Sequence, residues 1–306
     1  MFKFIVTRIL EAIPTMLVLI TISFFLIRFA PGNPFSSERP LPPAVMANIN
    51  AKYGLNKPVY DQYFTYLSSI VRGDFGPSFK YKDYTVNELI DAALPVSAKI
   101  GVVAFIFTIL LGVSVGTISA LKQNSIFDYS VMSTTMIGVV MPSFVIAPIL
   151  IYFFALKLGW LPAGGWMGGA AKYMVLPVVS MSMLYVASIA RITRGSMIET
   201  LNSNFIRTAR AKGLSYRKIV IKHALRPAML PVVSYMGPAF VGIITGSVVI
   251  ETIFGIPGIG KLFVQAAFDR DYSLVMGITI IIGFLFIIFN AVVDVLLAYI
   301  DPKIRY

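Results

Sequence analysis

Apolar runs separated by short polar segments dominate the chain. Crossing the hydrocarbon core of a bilayer takes about 20 consecutive apolar residues, and windows of that length occur six times. They are Ile9–Phe29, Ile100–Leu121, Val131–Leu156, Tyr173–Ala190, Met229–Phe254 and Leu274–Ile300. The pattern predicts an all-α, multi-pass membrane protein with six transmembrane helices. The first run is too long for a signal peptide and lacks a small-x-small cleavage pattern after it, so we expect it to be retained.

The polar segment between the first two runs contains two further helical patterns. One starts after Pro58 and stops before Gly73, and the other starts at Thr85, which stands at capping-box spacing from Glu88, and ends before Pro95. Both patterns are amphipathic, so we expect both helices to lie against the outer membrane surface. Their apolar faces either pack over the ends of the spans or dock an external partner.

Composition agrees with a membrane protein and excludes several kinds of site. Hydrophobic residues make up 57% of the chain and charged residues 13%, with a mean hydropathy of +0.81, whereas a soluble domain carries about 25% charged residues. The chain has no cysteine, which excludes disulfides, thiolate metal sites and cysteine nucleophiles. The single histidine, His223, has no serine or carboxylate at a spacing that would indicate catalysis. We therefore expect it to have a structural or docking role.

The distribution of lysine and arginine predicts the orientation, because cytoplasmic loops retain positive charge. With the N-terminus inside, 14 of the 26 basic residues lie on the inner side. They are Lys3, Arg8, Lys122, Arg191, Arg194, Arg207, Arg210, Lys212, Arg217, Lys218, Lys222, Arg226, Lys303 and Arg305. Both termini are therefore predicted to be cytoplasmic. The net charge of +12 is a topology signal and does not indicate nucleic-acid binding.

The inner segment after the fourth run carries a basic, glycine-punctuated pattern. We expect the fourth helix to continue to about Leu201, and Asn202–Asn204 to break it and cap a two-turn helix over Phe205–Lys212. Gly213 then stands at the C′ position in a left-handed conformation, and Ser215 caps a third helix that runs toward His223.

A helix of two turns is marginal alone in water, so this one must pack against something. Its apolar face is assigned to Phe205, Ile206 and Ala209. Its cations, Arg207, Arg210 and Lys212, can meet an acidic groove on a soluble partner. The alternative is that these cations only follow the positive-inside rule.

This segment resembles the cytoplasmic loop of ATP-binding-cassette (ABC) importer permeases, whose motif is E-A-A-x3-G-x9-I-x-L-P. When the motif is aligned so that its glycine is Gly213, two other positions match, namely Ala209 and Leu225. The departures are Arg207, Thr208, His223 and Arg226, which replace the glutamate, an alanine, the isoleucine and the proline. The segments APGNP, YGLNKPVYDQY, GDFGPSF and VVIETIFGIPGIGKLF are similar to the peptide-permease branch, most of all to the B-type membrane subunit of bacterial oligopeptide permeases.

The resemblance implies a type I ABC importer permease fold in the bacterial inner membrane and a passive transport subunit that is not an enzyme. This chain then binds no cofactor, because ATP and Mg²⁺ are used by two separate cytoplasmic ATPase subunits. The other implied partners are a second homologous permease subunit, a periplasmic or extracellular peptide-binding protein, the peptide substrate and membrane lipid.

The resemblance also divides the chain and places the ATPase-coupling residues. It implies an N-terminal helix over 1–30, a periplasmic segment over 31–98 and a five-helix core over 99–306 with a coupling loop at 192–228. The coupling residues are Phe205, Ile206, Arg207, Thr208, Ala209, Arg210, Lys212, Gly213, Leu214 and Ser215.

A second glycine-rich segment lies before the last run, and it has two readings. Gly255, Gly260 and Lys261 have the spacing of a phosphate-binding G-x4-G-K loop, but Leu262 stands where a hydroxyl must bind magnesium. The predicted topology also places the segment outside, away from cytoplasmic ATP. We therefore expect a tight, non-helical turn that helps to close the outer mouth. The outer-gate residues are Gly255, Pro257, Gly258 and Gly260.

Within the spans, a few residue types have a predicted role. Asn290 and Asp294 lie four residues apart on one face of the last span, where they line a pathway or hold a neighbouring helix. The glycines permit close helix approach and the prolines produce kinks. The glycines are Gly112, Gly116 and Gly138, and the prolines are Pro142, Pro148, Pro177, Pro231 and Pro238.

Two other function classes fit the chain less well. An ion-coupled secondary transporter or channel needs membrane-buried carboxylates, histidines or inverted repeats, and only Asp294 approaches this. A membrane enzyme needs converging acid, base or metal ligands, and the sequence offers no such set.

Overall fold

The computed structural model of the chain describes residues 2–29, 54 and 56–300. The APGNP segment and the cations Lys303 and Arg305 lie outside the described residues, as do the side chains of Lys3 and Arg8. The helices are α1 Phe2–Phe29, α2 Val59–Val71, α3 Val86–Leu121, α4 Ile126–Val140, α5 Ser143–Lys157, α6 Ala171–Leu201, α7 Asn204–Ala211, α8 Tyr216–Phe254, α9 Ile259–Phe268 and α10 Tyr272–Ile300.

Five of the six predicted spans are confirmed as long apolar helices: α1, α3, α6, α8 and α10. The third predicted span is broken, because α4 and α5 meet at an angle of 109°. The break lies at Met141 and Pro142, whose extended backbone ends α4. A residue that precedes proline is pushed out of the helical conformation, which explains a bend at this position. The other four prolines lie inside α5, α6 and α8.

The prediction of a separate surface helix between Thr85 and Pro95 is wrong. The helix α3 begins at Val86, passes through Pro95 and ends at Leu121, a length of 36 residues. The capping box at its start is confirmed: the backbone N–H of Glu88 donates to Thr85 Oγ1 (3.2 Å), and the N–H of Thr85 donates to Glu88 Oε2 (2.8 Å). The first turns of α3 pack against α9 and α10 through Val86 and Ile90. Pro95 has no backbone N–H to donate within the helix, and this packing stabilises the helix at that position.

The helix predicted after Pro58 is confirmed as α2, and Gly73 follows it in a left-handed conformation (φ 77°). Tyr63 joins α2 to the C-terminal half of α1. Its ring contacts Phe24 and Phe25, with ring centroids 5.5 and 5.6 Å apart, and its hydroxyl lies 2.8 Å from Thr21 Oγ1. One face of α2 therefore packs over the end of a span.

Glycines set the closest helix pair, α3 with α6. A Cβ atom at Gly112 would lie 2.8 Å from Ile189 Cγ2, and one at Gly116 would lie 2.7 Å from Thr193 Cβ. A Cβ atom at Gly138 of α4 would lie 3.1 Å from the carbonyl oxygen of Met183 on α6. The predicted close approach at these three glycines is confirmed. It makes α6 the central helix, to which α3, α4 and the loop that follows α6 are fixed.

Candidate functional site

The two-turn helix α7 is docked on one end of the helical bundle. Ile206 and Ala209 are buried in a cluster with Ala120 at the end of α3, Met197 on α6 and the first turns of α8. The expectation that this helix must be packed is therefore met. A displacement of α7 is transmitted directly to three membrane helices, because close-packed side chains leave little free space between them.

The turn after α7 is a Schellman motif, as the predicted role of Gly213 requires. Gly213 has φ 73°, and its N–H donates to the carbonyl of Arg210 (2.9 Å). The N–H of Leu214 donates to the carbonyl of Ala209 (3.3 Å), and Leu214 packs against the same cluster as Ala209. This pair of bonds with its apolar contact ends the helix and fixes the direction of the following chain.

Two local predictions for this loop are wrong. Phe205 does not share the buried face with Ile206 and Ala209; its side chain is 49% exposed. Ser203 and Ser215 occupy the N-cap positions but make no capping hydrogen bond. The hydroxyl of Ser203 donates instead to the carbonyl of Thr200 (2.6 Å) and so completes the end of α6.

The predicted third helix does not stand alone but is the first part of α8. The chain passes from Tyr216–Lys218 through a π-helical segment, Ile219–Ala224, into Leu225–Phe254 without a break. The wide π turns lie just before Pro227, which has no backbone N–H to donate. They allow the helix to continue past this proline without ending. The α8 helix therefore reaches from the loop to the opposite end of the bundle.

The free surface of the loop combines cations with aromatic side chains. Arg207, Arg210 and Lys212 are exposed, and none of the described acidic side chains forms an ion pair with them. Phe205 and Tyr216 are also exposed. This surface suits a partner that offers carboxylates beside an apolar recess, since exposed cations and aromatic rings are common anchors at interfaces.

A buried ion pair lies behind the loop. Arg194 on α6 donates from Nε to Asp128 Oδ1 (2.7 Å) and from Nη2 to Asp128 Oδ2 (2.6 Å). Asp128 is fully buried and also accepts from the hydroxyl of Ser119 on α3 and from the N–H of Asn124 (3.0 Å). One carboxylate thus joins α3, α4 and α6. The sequence analysis used Arg194 only as an orientation charge and did not single out Asp128. The local signal that could have found Asp128 is its capping spacing from Ser125, whose hydroxyl accepts from the N–H of Asp128.

At the opposite end of the bundle, the glycine-rich segment forms a turn and then a helix. Gly255 ends α8 in a left-handed conformation (φ 67°), and the N–H of Ile256 donates to the carbonyl of Glu251 (2.8 Å). Gly255, Pro257 and Gly258 are non-helical, as predicted. The prediction is wrong for Gly260, which lies in the first turn of α9.

The N-terminus of α9 is occupied by a carboxylate of the same chain. Glu251 Oε2 accepts from the N–H groups of Gly260 (2.8 Å) and Lys261 (3.1 Å). Its Oε1 accepts from the hydroxyl of Ser97 (2.6 Å), which in turn accepts from the N–H of Ile259 (2.7 Å). The phosphate-like spacing of this segment therefore serves an internal anion. Sequence reasoning missed Ser97 and Glu251, although a glutamate inside an apolar run was a usable signal.

The loop between α5 and α6 covers this turn. The N–H of Gly165 donates to the carbonyl of Phe254 (2.7 Å) at the end of α8. Lys99 on α3 holds the loop from the other side: its Nζ donates to the carbonyl of Gly169 (3.1 Å) and lies 5.6 Å from the ring centroid of Trp166. Ile256 and Gly258 of the turn are thus buried between α3, α9 and this loop, whereas Gly255 and Pro257 are exposed.

The candidate pathway residues lie apart from both of these sites. Asn290 and Asp294 line a crevice between α10 and α1 together with Glu11 and Thr15. Asn290 donates from Nδ2 to the carbonyl of Phe286 (2.9 Å) and lies against Gly237 of α8. Among the described residues, no group of three or more histidine or acidic side chains is arranged to hold a metal ion.

Comparison with known proteins gives matches over both parts of the chain. Residues 112–306 match the model of the family described as "Binding-protein-dependent transport system inner membrane component". Residues 1–98 match the model described as "Binding-prot-dependent transport system membrane comp, N-term".

Curated relatives align over the full chain. The oligopeptide transport system permease protein OppB of Haemophilus influenzae and that of Escherichia coli K12 are each 66% identical over 306 residues, which is 100% of both chains. The dipeptide transport system permease protein DppB of Bacillus subtilis is 41% identical over 305 residues, covering 100% of this chain and 98% of that protein.

Solved structures show the same fold at low identity. An inward-facing form of the MetNI methionine ABC transporter matches with a TM-score of 0.55 and 18% identity, covering 70% of this chain and 96% of that chain. An amino acid ABC transporter with histidines matches with a TM-score of 0.52 and 17% identity, covering 71% and 94%.

The buried ion pair gives a direct stability prediction. Replacing Arg194→Ala leaves the buried carboxylate of Asp128 without its counter-ion. Breaking a fully buried pair costs about 3 to 5 kcal/mol, and we expect a smaller loss here because the side chain of Arg194 is 25% exposed. We expect a clear drop in the thermal unfolding midpoint of the purified protein in detergent. The control is Arg191→Ala, one helical turn away, because Arg191 is exposed and its guanidinium contacts the sulfur of Met136 (3.7 Å) instead of a carboxylate. Equal midpoints for the two variants would contradict the structural role of the pair.

Proposed function

The chain belongs to the family of inner membrane components of binding-protein-dependent transport systems, and on that premise we propose that it is the permease subunit of an ATP-driven oligopeptide importer. Its identity of 66% to oligopeptide permease proteins over the full length supports the substrate class. It is a multi-pass subunit of the bacterial inner membrane and not an enzyme; ATP is hydrolysed by separate subunits.

The observation that carries this proposal is the docking of α7 on the ends of three membrane helices. Its buried residues, Ile206 and Ala209, fix it to α3, α6 and α8. Exposed side chains of α7 and of the turn after it face away from this cluster and are available to a soluble subunit; they are Phe205, Arg207, Thr208, Arg210, Lys212 and Ser215. In this proposal Gly213 and Leu214 set the angle at which the helix meets that subunit. The loop over 192–228 then couples two ATPase subunits to the membrane core over 99–306.

The structure suggests how motion would reach the other side of the membrane. We propose that ATP binding draws the ATPases together and displaces α7. The 39 residues of α8 run from the loop to Phe254 as one continuous helical element, so a displacement at Tyr216 has a direct path to the turn at Gly255. Gly255, Pro257, Gly258 and Gly260 form the outer gate in this proposal.

The remaining proposed partners follow from the family to which the chain belongs. Its core helices form half of a pathway in this proposal, so a second homologous permease subunit supplies the other half. An external peptide-binding protein delivers peptide to the outer end and supplies most of the selectivity. Mg²⁺ and ATP are held by the ATPase subunits. Asn290 and Asp294 remain proposed pathway residues beside α1.

Transport driven by ATP alone distinguishes this function from an ion-coupled transporter. We expect proteoliposomes that contain the complete complex to take up labelled peptide when ATP is supplied, and to keep doing so after a protonophore has removed the proton gradient. Uptake that stops with the protonophore while ATP remains present would favour the secondary-transporter alternative.

Crosslinking tests the proposed ATPase surface. A photoreactive residue in place of Arg207, which is exposed, is expected to capture an ATPase subunit in native membranes, as identified by mass spectrometry. The same residue in place of Ala209, which is buried in the cluster, is expected to react within its own chain. An intact, inserted complex without ATPase capture at Arg207 would remove the support for this surface.

Gly213→Val tests the Schellman turn. A β-branched residue at φ 73° is strained by about 1 to 3 kcal/mol, so the end of α7 is lost and the angle of the helix changes. We expect fewer peptides transported per ATP hydrolysed, with normal membrane insertion. Gly195→Val on α6 is the matched control, since an added Cβ there meets nothing within 4 Å and its backbone is helical. Equal coupling ratios for both variants would refute the role of Gly213.

A further inference from the structure

We propose that Glu251 is a positioning residue for transport, whose carboxylate latches the outer gate by holding the N-terminus of α9 and Ser97 of α3 against the end of α8. This inference rests on the proposed function, because it assigns one side chain to the closing of the gate. It predicts that the gate opens when α8 carries Glu251 away from its three donors.

The first support is the complete burial of the carboxylate. Glu251 is 0% exposed, and a charge that loses water is stable only where protein groups replace the lost hydrogen bonds. Both of its oxygens are satisfied, one by Ser97 and the other by Gly260 and Lys261. The position of Glu251 is therefore strongly tied to the positions of α3 and α9.

The second support is that α9 has no cap of its own. Its N-cap residue is Gly258, which has no side chain, so the N–H groups of the first turn need an acceptor from elsewhere. Glu251 supplies that acceptor from α8, and its negative charge also interacts favourably with the positive end of the helix dipole. The docking of α9 thus depends on a residue of another helix.

Two glycines of the segment leave room for this carboxylate. A Cβ atom at Gly258 would lie 2.5 Å from Glu251 Oε2, and one at Gly260 would lie 2.9 Å from the same oxygen and 2.5 Å from the backbone of Val248. A larger residue at either position would therefore disturb the contact between α8 and the first turn of α9. Gly255 has a different role, because an added Cβ there meets nothing within 4 Å and its backbone is left-handed (φ 67°).

The geometry is that of a releasable contact. The three hydrogen bonds to the carboxylate are 2.6 to 3.1 Å long and end on one side chain of α8. Hydrogen bonds are lost when the donor and acceptor separate beyond about 3.5 Å, so one small displacement of α8 weakens all three together. Every donor is neutral, and no described cation forms an ion pair with Glu251 that would hold it after the donors have moved.

A single cysteine can report the state of the gate, since the chain has none. Ile256→Cys places a thiol at a fully buried position of the turn. The complete complex in nanodiscs, without ATP, is treated with a hydrophilic maleimide, and labelling of this chain is followed over time. Adding Glu251→Ala is expected to raise the labelling rate by about tenfold or more, because several hydrogen bonds to a charged group are lost. Ser97→Ala is expected to give a smaller increase.

The matched control is Asp269→Ala at the other end of α9. The carboxylate of Asp269 accepts from Gln265 Nε2 (2.9 Å) and pairs with Lys80 (3.4 Å) at the surface, away from the turn. Its removal is expected to leave the labelling rate unchanged. If Glu251→Ala does not assemble into the complex, the labelling rate of Ser97→Ala is used instead. A labelling rate in the assembled variant that equals the rate of the parent chain would overturn the latch.

A second readout separates a latch from ordinary packing. Coupling between two sites is reciprocal, so a variant that opens the gate must also favour the ATPase state that accompanies opening. We expect Glu251→Ala to raise the affinity of the complex for ATP, measured without peptide, by about fivefold or more, whereas a merely loosened structure would lower it or leave it unchanged. Normal peptide uptake by the parent complex, with unaltered ATP affinity in the variant, would reject the latch alone. Failure of ATP-driven uptake in the parent complex would instead reject the proposed function.

Discussion

A carboxylate that is fully buried in a membrane protein cannot form hydrogen bonds with water. The surrounding helices must therefore supply its hydrogen-bond donors. This chain buries Asp128 and Glu251 near opposite ends of the helical bundle, and each is placed where helices meet. Asp128 has a guanidinium group as its main partner, held by two bonds of 2.6 and 2.7 Å. Glu251 has only a hydroxyl and two backbone N–H groups. The bidentate ion pair gives a firmer junction than the neutral donors do. The end of the bundle that carries the loop is therefore held more firmly than the end that carries the turn at Gly255.

The single course of α8 connects these two ends. Its first turns share the cluster that holds Ile206 and Ala209, and its last turn carries Glu251 and the carbonyl of Phe254. A helix transmits displacement along its axis because its backbone hydrogen bonds resist stretching. The π-helical segment, Ile219–Ala224, lies at the loop end of α8, where the wide turns allow the helix to continue past Pro227. The loop and the turn at Gly255 are consequently joined by one helix, whereas α6 is the helix against which α3 and α4 pack most closely.

The sequence was informative wherever the physics is local. Hydropathy located five spans that are each one long helix, and the left-handed turn at Gly213 followed from a short helix that had to end. Predictions failed where distant packing decides. Pro95 did not end α3, because α9 and α10 hold its first turns, and Phe205 points outward because the position of α3 and α8 selects which face of α7 is buried. The pairs that fix the site, Asp128 with Arg194 and Ser97 with Glu251, are 66 and 154 positions apart. No local pattern could join them.

The segment after α8 shows why a motif needs its surroundings before it can be interpreted. A glycine-rich turn that opens a helix exposes N–H groups and a positive dipole end, which attract an anion of any origin. In a nucleotide-binding loop the anion is a phosphate and a hydroxyl next to the lysine binds the metal; here Leu262 offers no hydroxyl. The anion is instead Glu251, fully buried at bonding distance from Gly260 and Lys261. Once that carboxylate is in place, a phosphate could enter only by displacing a charge that the fold has already enclosed. The same backbone geometry that binds a ligand elsewhere therefore serves, in this chain, to hold one helix against another.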